Sequence, residues 1–260
     1  MASVEMQVRE GVARIVLNRP DAMNTIDLQL AEGLLEAAQS CTSDPEVRAV
    51  LIRGEGRVFC AGGDLRGFTQ AQEGLAGVLK RITTPLHAAV SLLARLDAPV
   101  VAAVHGSAAG GGLGLMLACD LVVAAESTRF TMAYTAIGLS PDGSSSYFLP
   151  RLVGLRQALD LTLTNRVLSA AEALELGLIT RLAPDDEYLQ QAEALAGQLA
   201  TGATRAYGAA KRLLQHSLDT SLETQMELEA RQISALGASA DAREGIDAFL
   251  SKRAPGFRGS

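Results

Sequence analysis

The sequence predicts an α/β core followed by a helical C-terminal region, and three observations predict it. β-rich segments alternate with segments of helical periodicity through the first half of the chain, two glycine-rich loops each lie between a β-rich segment and a helix candidate, and beyond Ser144 the β signal thins. In chain order, Val4, Met6 and Val8 alternate, Glu10-Gly11 reads as a turn and residues 12–17 are β-rich, so an opening hairpin is expected, closed by a turn at Asn18-Arg19-Pro20. Leu30, Leu34, Leu35 and Ala38 stand at helical spacing and predict a helix over 28–38; residues 49–52 follow as a short buried strand. From Leu86 onward, Val90, Leu93 and Leu96 define a helix stripe that ends before Pro99, and residues 99–104 form another buried strand. A glycine loop and helix over 110–119 and a strand over 121–125 repeat the pattern. Later, only 178–182 reads as β; residues 156–163, 170–176, 187–199, 203–216, 221–235 and 241–250 read as helices. The division expected is an α/β core over 1–200 and a helical region over 201–260, with no repeat or low-complexity tract.

A chain of 260 residues, 48% of them hydrophobic, is long enough to bury a substantial core. Its net charge of −6 leaves no block of Lys and Arg that could track a phosphate backbone, so nucleic acid is not an expected partner. Three cysteines without CxxC spacing disfavour both a disulfide framework and a structural zinc site, and no metal is expected. The first residues lack the apolar run of a secretory leader, and the glycine-rich apolar stretch 113–125 is too short to cross a bilayer and contains Asp120. A cytoplasmic protein without membrane attachment is therefore expected.

Chemistry points to the glycine loops. Ala109-Gly110-Gly111-Gly112 precedes a helix, where unpaired N–H groups and a partly positive helix end make an anion site. Without Cβ atoms an acyl oxygen can approach the main chain, and such donors act on charge that develops during reaction. A tight turn packing strand against helix is the plainer alternative. The spacing is not a dinucleotide fingerprint, because Leu115 stands where a third glycine or alanine is needed. The second loop, Ala61-Gly62-Gly63-Asp64, follows the β-rich 57–60 and could supply another N–H from Gly63; alone it reads as a turn with Asp64 capping a helix.

Together the segments LNRPDAMN (17–24), RVFCAGGDL (57–65), APVVAAVHGSAAGGGLGLMLACDLVVAA (98–125), RFTMAYTAIGLSPDG (129–143), ALELGLI (173–179) and AFLSKRAPGF (248–257) resemble the crotonase, or enoyl-CoA hydratase/isomerase, superfamily over nearly the whole chain. The resemblance implies a crotonase-like spiral of ββα turns with a C-terminal helical trimerisation region, and homotrimers that pair into hexamers. It implies an acyl-CoA thioester substrate, with coenzyme A as part of that substrate and no permanently bound cofactor. Gly63 and Gly111 would donate to the thioester oxygen. For the CoA moiety it implies Ala61, Gly63, Asp64, Leu65 and Arg66 in the first loop, the carbonyl of Ala22, and Phe249 and Lys252 from a neighbouring subunit. An ordinary solvated charge is the plainer reading of Arg66 and Lys252.

Two positions depart from the hydratase pattern: Gly114 and Tyr134 stand where hydratases of this family carry glutamates. Adding water needs a positioned acid and base, so hydration loses its usual groups, and an atypical enoyl-CoA hydratase stands only as an alternative. What remains is Asp142, at the position of the carboxylate in Δ3,Δ2-enoyl-CoA isomerases and in the ring isomerases of the phenylacetate pathway, which the C-terminal 221–250 also resembles. A single carboxylate suits a 1,3-proton shift, with Tyr134 lining the acyl pocket; locally, Asp142 also reads as an Asx-turn or helix cap. His87 with Asp142 and the run 144–151 resembles the dehalogenases that act on 4-chlorobenzoyl-CoA, in which the matching Asp is a nucleophile and the matching His activates water. His87 also reads as a helix residue facing a loop or water. An acyl-CoA-binding protein without catalysis is the third possibility. His105 and His216 have no assignable chemistry.

Overall fold

A computed structural model describes residues 2–72 and 74–260. The opening hairpin forms as expected. β1 (Val4–Arg9) pairs antiparallel with β2 (Val12–Leu17), from Val4 opposite Leu17 to Arg9 opposite Val12, across a turn in which Glu10 and Gly11 both have positive φ (52° and 76°), the backbone that a tight two-residue hairpin requires. From β2 the sheet is parallel: β3 (Ala49–Gly54), β4 (Val100–Val104), β6 (Leu121–Ala125) and β9 (Arg181–Ala183) join in the order β1-β2-β3-β4-β6-β9. All five residues of β4 are buried, as in a sheet covered on both faces.

One face is covered by α1 (Leu28–Ser43) and α3 (Gly74–Arg95), which pack on each other. They bury Leu30, Leu34, Ala38, Leu86, Val90 and Leu93 with Ile15, Val50, Ile52 and Ala102 of the sheet. The other face is covered by α8 (Tyr188–Ala200), whose Ala192, Leu195 and Ala196 meet Val12, Leu51, Val101 and Val123. Alternate side chains of one strand thus feed two cores. α3 begins at Gly74, well before the stripe read from Leu86, because Val78 and Ile82 extend the buried face through Pro85. Residues 57–60, expected to be β-rich, make only an isolated bridge, Cys60 to Ala108; the backbone there serves the loop that follows. The expected strand at 178–182 is displaced to β9, with residues 177–180 turned against α7 (Ala170–Glu175) by Leu178 and Ile179 N–H groups donating to Ala173.

A second sheet, β5-β7-β8, joins three short strands: β5 (Ser107–Ala109), β7 (Arg129–Thr131) and β8 (Leu168–Ser169). α2 (Leu65–Gln70) packs on α3, and α4 (Gly111–Leu117) packs on β5 and on α5 (Ser145–Val153); α5 and α6 (Leu155–Thr164) follow the 138–143 turn. The chain finishes in α9 (Thr204–His216), α10 (Leu222–Gly237) and α11 (Ala240–Leu250). α9 is fastened to the core by Lys211, whose ammonium lies 2.6 Å from Asp120 and donates to the Ala98 carbonyl. Burial pushes the Asp120 carboxyl up, opposed by the Lys211 charge and by the Val100 N–H that it accepts at 2.7 Å. His105 stacks on Tyr188 of α8, its Nε2 3.0 Å from the Gly56 carbonyl, and His216 ends α9.

Candidate active site

Two turns enter the site from different parts of the fold, and both are built on backbone that only glycine tolerates easily. Gly62 has φ 101°, and a Cβ on it would lie 3.0 Å from the Ala109 carbonyl oxygen; Gly110, with φ 50°, would carry its Cβ 3.8 Å from the Gly62 Cα. The glycine loops at 61–64 and 109–112 therefore lie against each other. The bridge from Cys60 to Ala108 and the parallel bridge from Ile26 to Gly63 fix that approach. Gly111 is the first residue of α4, so its N–H has no intrahelical acceptor. Among the described residues neither it nor the Gly63 N–H finds any hydrogen-bond acceptor, although both lie at the wall of a cavity.

The cavity measures about 320 Å³. Its apolar lining is made by Ile26, Leu65, Phe68, Leu79, Ile82 and Leu86, together with Ile137 and Leu139. Leu79 and Ile82 come from the part of α3 that precedes the stripe expected from Leu86, and their spacing of three and four residues up to Leu86 was the available signal. Among the described residues lining the cavity, Asp142 is the one carboxylate.

Asp142 is held from two sides. Its Oδ1 accepts the Tyr134 O–H at 2.6 Å, and its Oδ2 lies 3.8 Å from His87 Nε2. Its side chain therefore caps no helix; Ser144, not Asp142, is the residue before α5. Tyr134 is 8% exposed, and its hydroxyl pKa is pushed up by burial first and then by the Asp142 charge, so it remains a donor. Positive φ at Ala133 (58°), Gly143 (56°) and Ser144 (69°) turns the backbone on either side of the pair. His87 is half-exposed and does not line the cavity. Its Nε2 accepts the Gly143 N–H at 3.2 Å, which places its ring proton on Nδ1.

Position 114 explains the packing of this turn. A Cβ on Gly114 would lie 2.7 Å from the Gly143 carbonyl oxygen and 3.4 Å from that of Asp142. The turn that carries Asp142 rests on the bare backbone of α4.

The other sequence-predicted residues divide. Ala61 and Leu65 line the cavity. Asp64 does not; its Oδ1 caps α2 by accepting the Gly67 N–H at 3.1 Å, and its Oδ2 lies 3.1 Å from Arg19 Nη2. That same nitrogen lies 3.1 Å from Asp27 Oδ2, while Asp27 Oδ1 caps α1 through the Leu30 N–H. Arg66 is exposed on α2. The Ala22 carbonyl accepts both the backbone N–H and the hydroxyl of Thr25, at 3.1 and 2.9 Å. Phe249, 83% exposed, and exposed Lys252 do not line the cavity of their own chain. Cys60, beside Gly112, has its thiol pushed up to about 12 by burial and is no nucleophile.

The profile of the enoyl-CoA hydratase/isomerase family matches residues 7–260. The chain belongs to this family. It is 39% identical over 257 residues to a Rhodobacter capsulatus protein named as a probable enoyl-CoA hydratase (99% of this chain, 98% of that one), and 38% identical over 263 residues to the 1,2-epoxyphenylacetyl-CoA isomerase of Escherichia coli K12 (100% and 99%). It is 36% identical over 250 residues to a 4-chlorobenzoyl coenzyme A dehalogenase of an Arthrobacter species (96% and 91%). The crystal structure of an enoyl-CoA hydratase from Polaromonas sp. JS666 superposes with a TM-score of 0.93 at 33% identity, covering 98% of this chain and 99% of that one. The architecture is thus the crotonase fold, and the enoyl-CoA hydratase/isomerase family acts on CoA thioesters. Its named relatives span hydration, isomerisation and dehalogenation, so the reaction of this member has to be argued from its own cavity. Among the described residues no helix is long and apolar enough to cross a membrane.

Proposed function

We propose that this chain isomerises enoyl-CoA thioesters, moving a double bond from the 3 to the 2 position, or a ring-derived equivalent, through an enolate. The observation that carries this reading is a single carboxylate in a mainly apolar cavity, beside two unpaired backbone N–H groups. Gly63 and Gly111 N–H hold the thioester oxygen; Asp142 removes a proton from C2 and returns it at C4 of the dienolate. One base performs both transfers. Oxyanion donors of this kind contribute roughly 2.7–4 kcal/mol each to the transition state. Hydration is disfavoured because it requires a second acid-base group, and neither Gly114 nor Tyr134, whose proton is committed to Asp142, supplies one.

The proximity of His87 to Asp142 favours a second reading, nucleophilic attack by Asp142 on an aroyl-CoA with hydrolysis assisted by His87. Against it, His87 Nε2 is occupied by Gly143 N–H and the ring lies outside the cavity lining. A catalytically silent binder is the third reading.

Aliphatic and aromatic acyl-CoAs incubated in D₂O distinguish all three. Isomerisation is expected to interconvert 3- and 2-enoyl-CoA with deuterium entering at C2 or C4. Halide release from 4-chlorobenzoyl-CoA with an aryl adduct on Asp142 would replace it by the second reading; binding with neither exchange nor product would leave the third.

Coenzyme A enters as part of the substrate, with no permanently bound cofactor. Ala61 and Leu65 border its entry, Arg66 meets its nucleotide, and Phe249 and Lys252 reach it from a neighbouring subunit. A homotrimer, or a dimer of trimers, accords with large apolar side chains exposed in one chain: Leu155, Leu159 and Leu163 on α6, and Leu214, Leu222 and Ile233 on α9 and α10. Sedimentation is expected to give three or six times the chain mass; a monomer at micromolar concentration would overturn this assembly. A cytoplasmic setting accords with the three free cysteines.

A further inference from the structure

The two oxygens of Asp142 are not equivalent. Oδ1 accepts the Tyr134 O–H at 2.6 Å, whereas Oδ2 accepts no hydrogen bond among the described residues. The nearby His87 cannot supply one in the tautomer present, because its Nε2 carries a lone pair directed at Gly143 N–H. Among the described residues no other charged group is paired with the carboxylate. α4 carries no ionisable side chain, and Arg151 of α5 lies over the Tyr147 ring and pairs with Asp219. The oxygen without a protein hydrogen bond is the one left free to meet a substrate carbon.

We propose that Tyr134 is a positioning residue that decides which oxygen of Asp142 is the base: its hydroxyl pins Oδ1 and thereby presents Oδ2 to the substrate carbon. The proposal rests on the reading of Asp142 as the shuttling base. Tyr134 itself does not exchange its proton with substrate. It restricts rotation of the carboxylate about Cβ–Cγ, a torsion with a broad, two-fold profile that would otherwise let the two oxygens trade places between removing the proton and returning it. Its ring is buried with Gly110 and Gly111 at the cavity wall, so the hydroxyl is anchored by the same surface that carries one of the unpaired amides.

Tyr134→Phe removes only the hydroxyl. It is expected to lower kcat about tenfold or more, the loss expected for a hydrogen bond to a charged group, with KM changed less than about threefold because the acyl contacts persist. The acid limb of the kcat/KM profile is expected to move to higher pH, since the ionised carboxylate loses a donor. Site-specific 3-fluorotyrosine at position 134, nearly the same shape with a stronger phenolic donor, is expected to move that limb to lower pH. Asp142→Asn is assayed beside them. If the Asp142→Asn enzyme is inactive while both position-134 variants keep the wild-type kcat and pH profile, the positioning role is overturned and the base survives. Raised KM with unchanged kcat in the phenylalanine variant would make Tyr134 a binding residue only, which also overturns it. Full activity of Asp142→Asn would remove the base reading, and this proposal with it. Should the phenylalanine variant fail to fold, the fluorotyrosine profile alone decides.

Discussion

Asp142→Asn is expected to reduce turnover of 3-enoyl-CoA by about 10²–10⁴-fold, the contribution of a positioned acid-base group. The amide is nearly isosteric, and its oxygen can still accept the Tyr134 O–H, so the turn and the cavity wall should survive. What is lost is the capacity to hold a proton between C2 and C4. The measurement is kcat by the absorbance of the conjugated product, together with affinity for a non-reactive acyl-CoA. Affinity is expected to stay within about threefold, since the side chain contributes to proton transfer and not to uniform binding. Near-wild-type turnover by the asparagine variant would end the proposal that this residue is the base.

Gly114→Ala is the second large effect, and its sign runs against helix propensity. Alanine in place of glycine inside a helix is ordinarily worth about 0.5–1 kcal/mol of added stability. Here the new Cβ would lie 2.7 Å from the Gly143 carbonyl oxygen, a contact with backbone that no rotamer change relieves. Overpacking of this kind costs about 1–3 kcal/mol, so net destabilisation is expected, a fall in Tm of several degrees. The loss of activity should be larger, because the turn that must move carries Asp142, and a misplacement of about 1 Å can cost 10²-fold in rate. Gly114→Glu, which introduces the hydratase residue, is expected to give no hydratase and a poorly folded protein. Thermal unfolding and hydration of 2-enoyl-CoA measure the two consequences; a stable Gly114→Glu protein that adds water would refute the packing argument.

The parts of the fold legible in the sequence were those with a strong period of their own. The hairpin, β3, β4, β6 and helices α6 to α11 lie within a few residues of their expected bounds, because alternation or helical spacing persists over whole elements. β5, β7 and β8 have two or three residues each and exist through pairing with one another, which leaves no local pattern to read. α5 was hidden by Pro150 and by its entry through two successive positive-φ residues, Gly143 and Ser144. The site follows the same division. Both glycine loops announce unpaired amides locally, and both stand at the wall of one cavity. The Tyr134–Asp142 contact spans eight residues of irregular chain and depends on the backbone at Ala133, Gly138 and Gly143, so residue types alone could not reveal it. The closure of position 114 was invisible for a related reason: the sequence shows which side chain is missing, not what occupies its space.

Arg19 gives the Gly63 loop an electrostatic character that its own residues do not have. Asp64 is the immediate neighbour of Gly63, and an unneutralised carboxylate there would repel any negative charge gathering on the bound oxygen. The guanidinium, shared at 3.1 Å with Asp64 and Asp27 and bonded also to the Thr25 carbonyl, offsets that repulsion. Two acidic caps can therefore stand close to the proposed seat of the thioester oxygen because one cation is held between them.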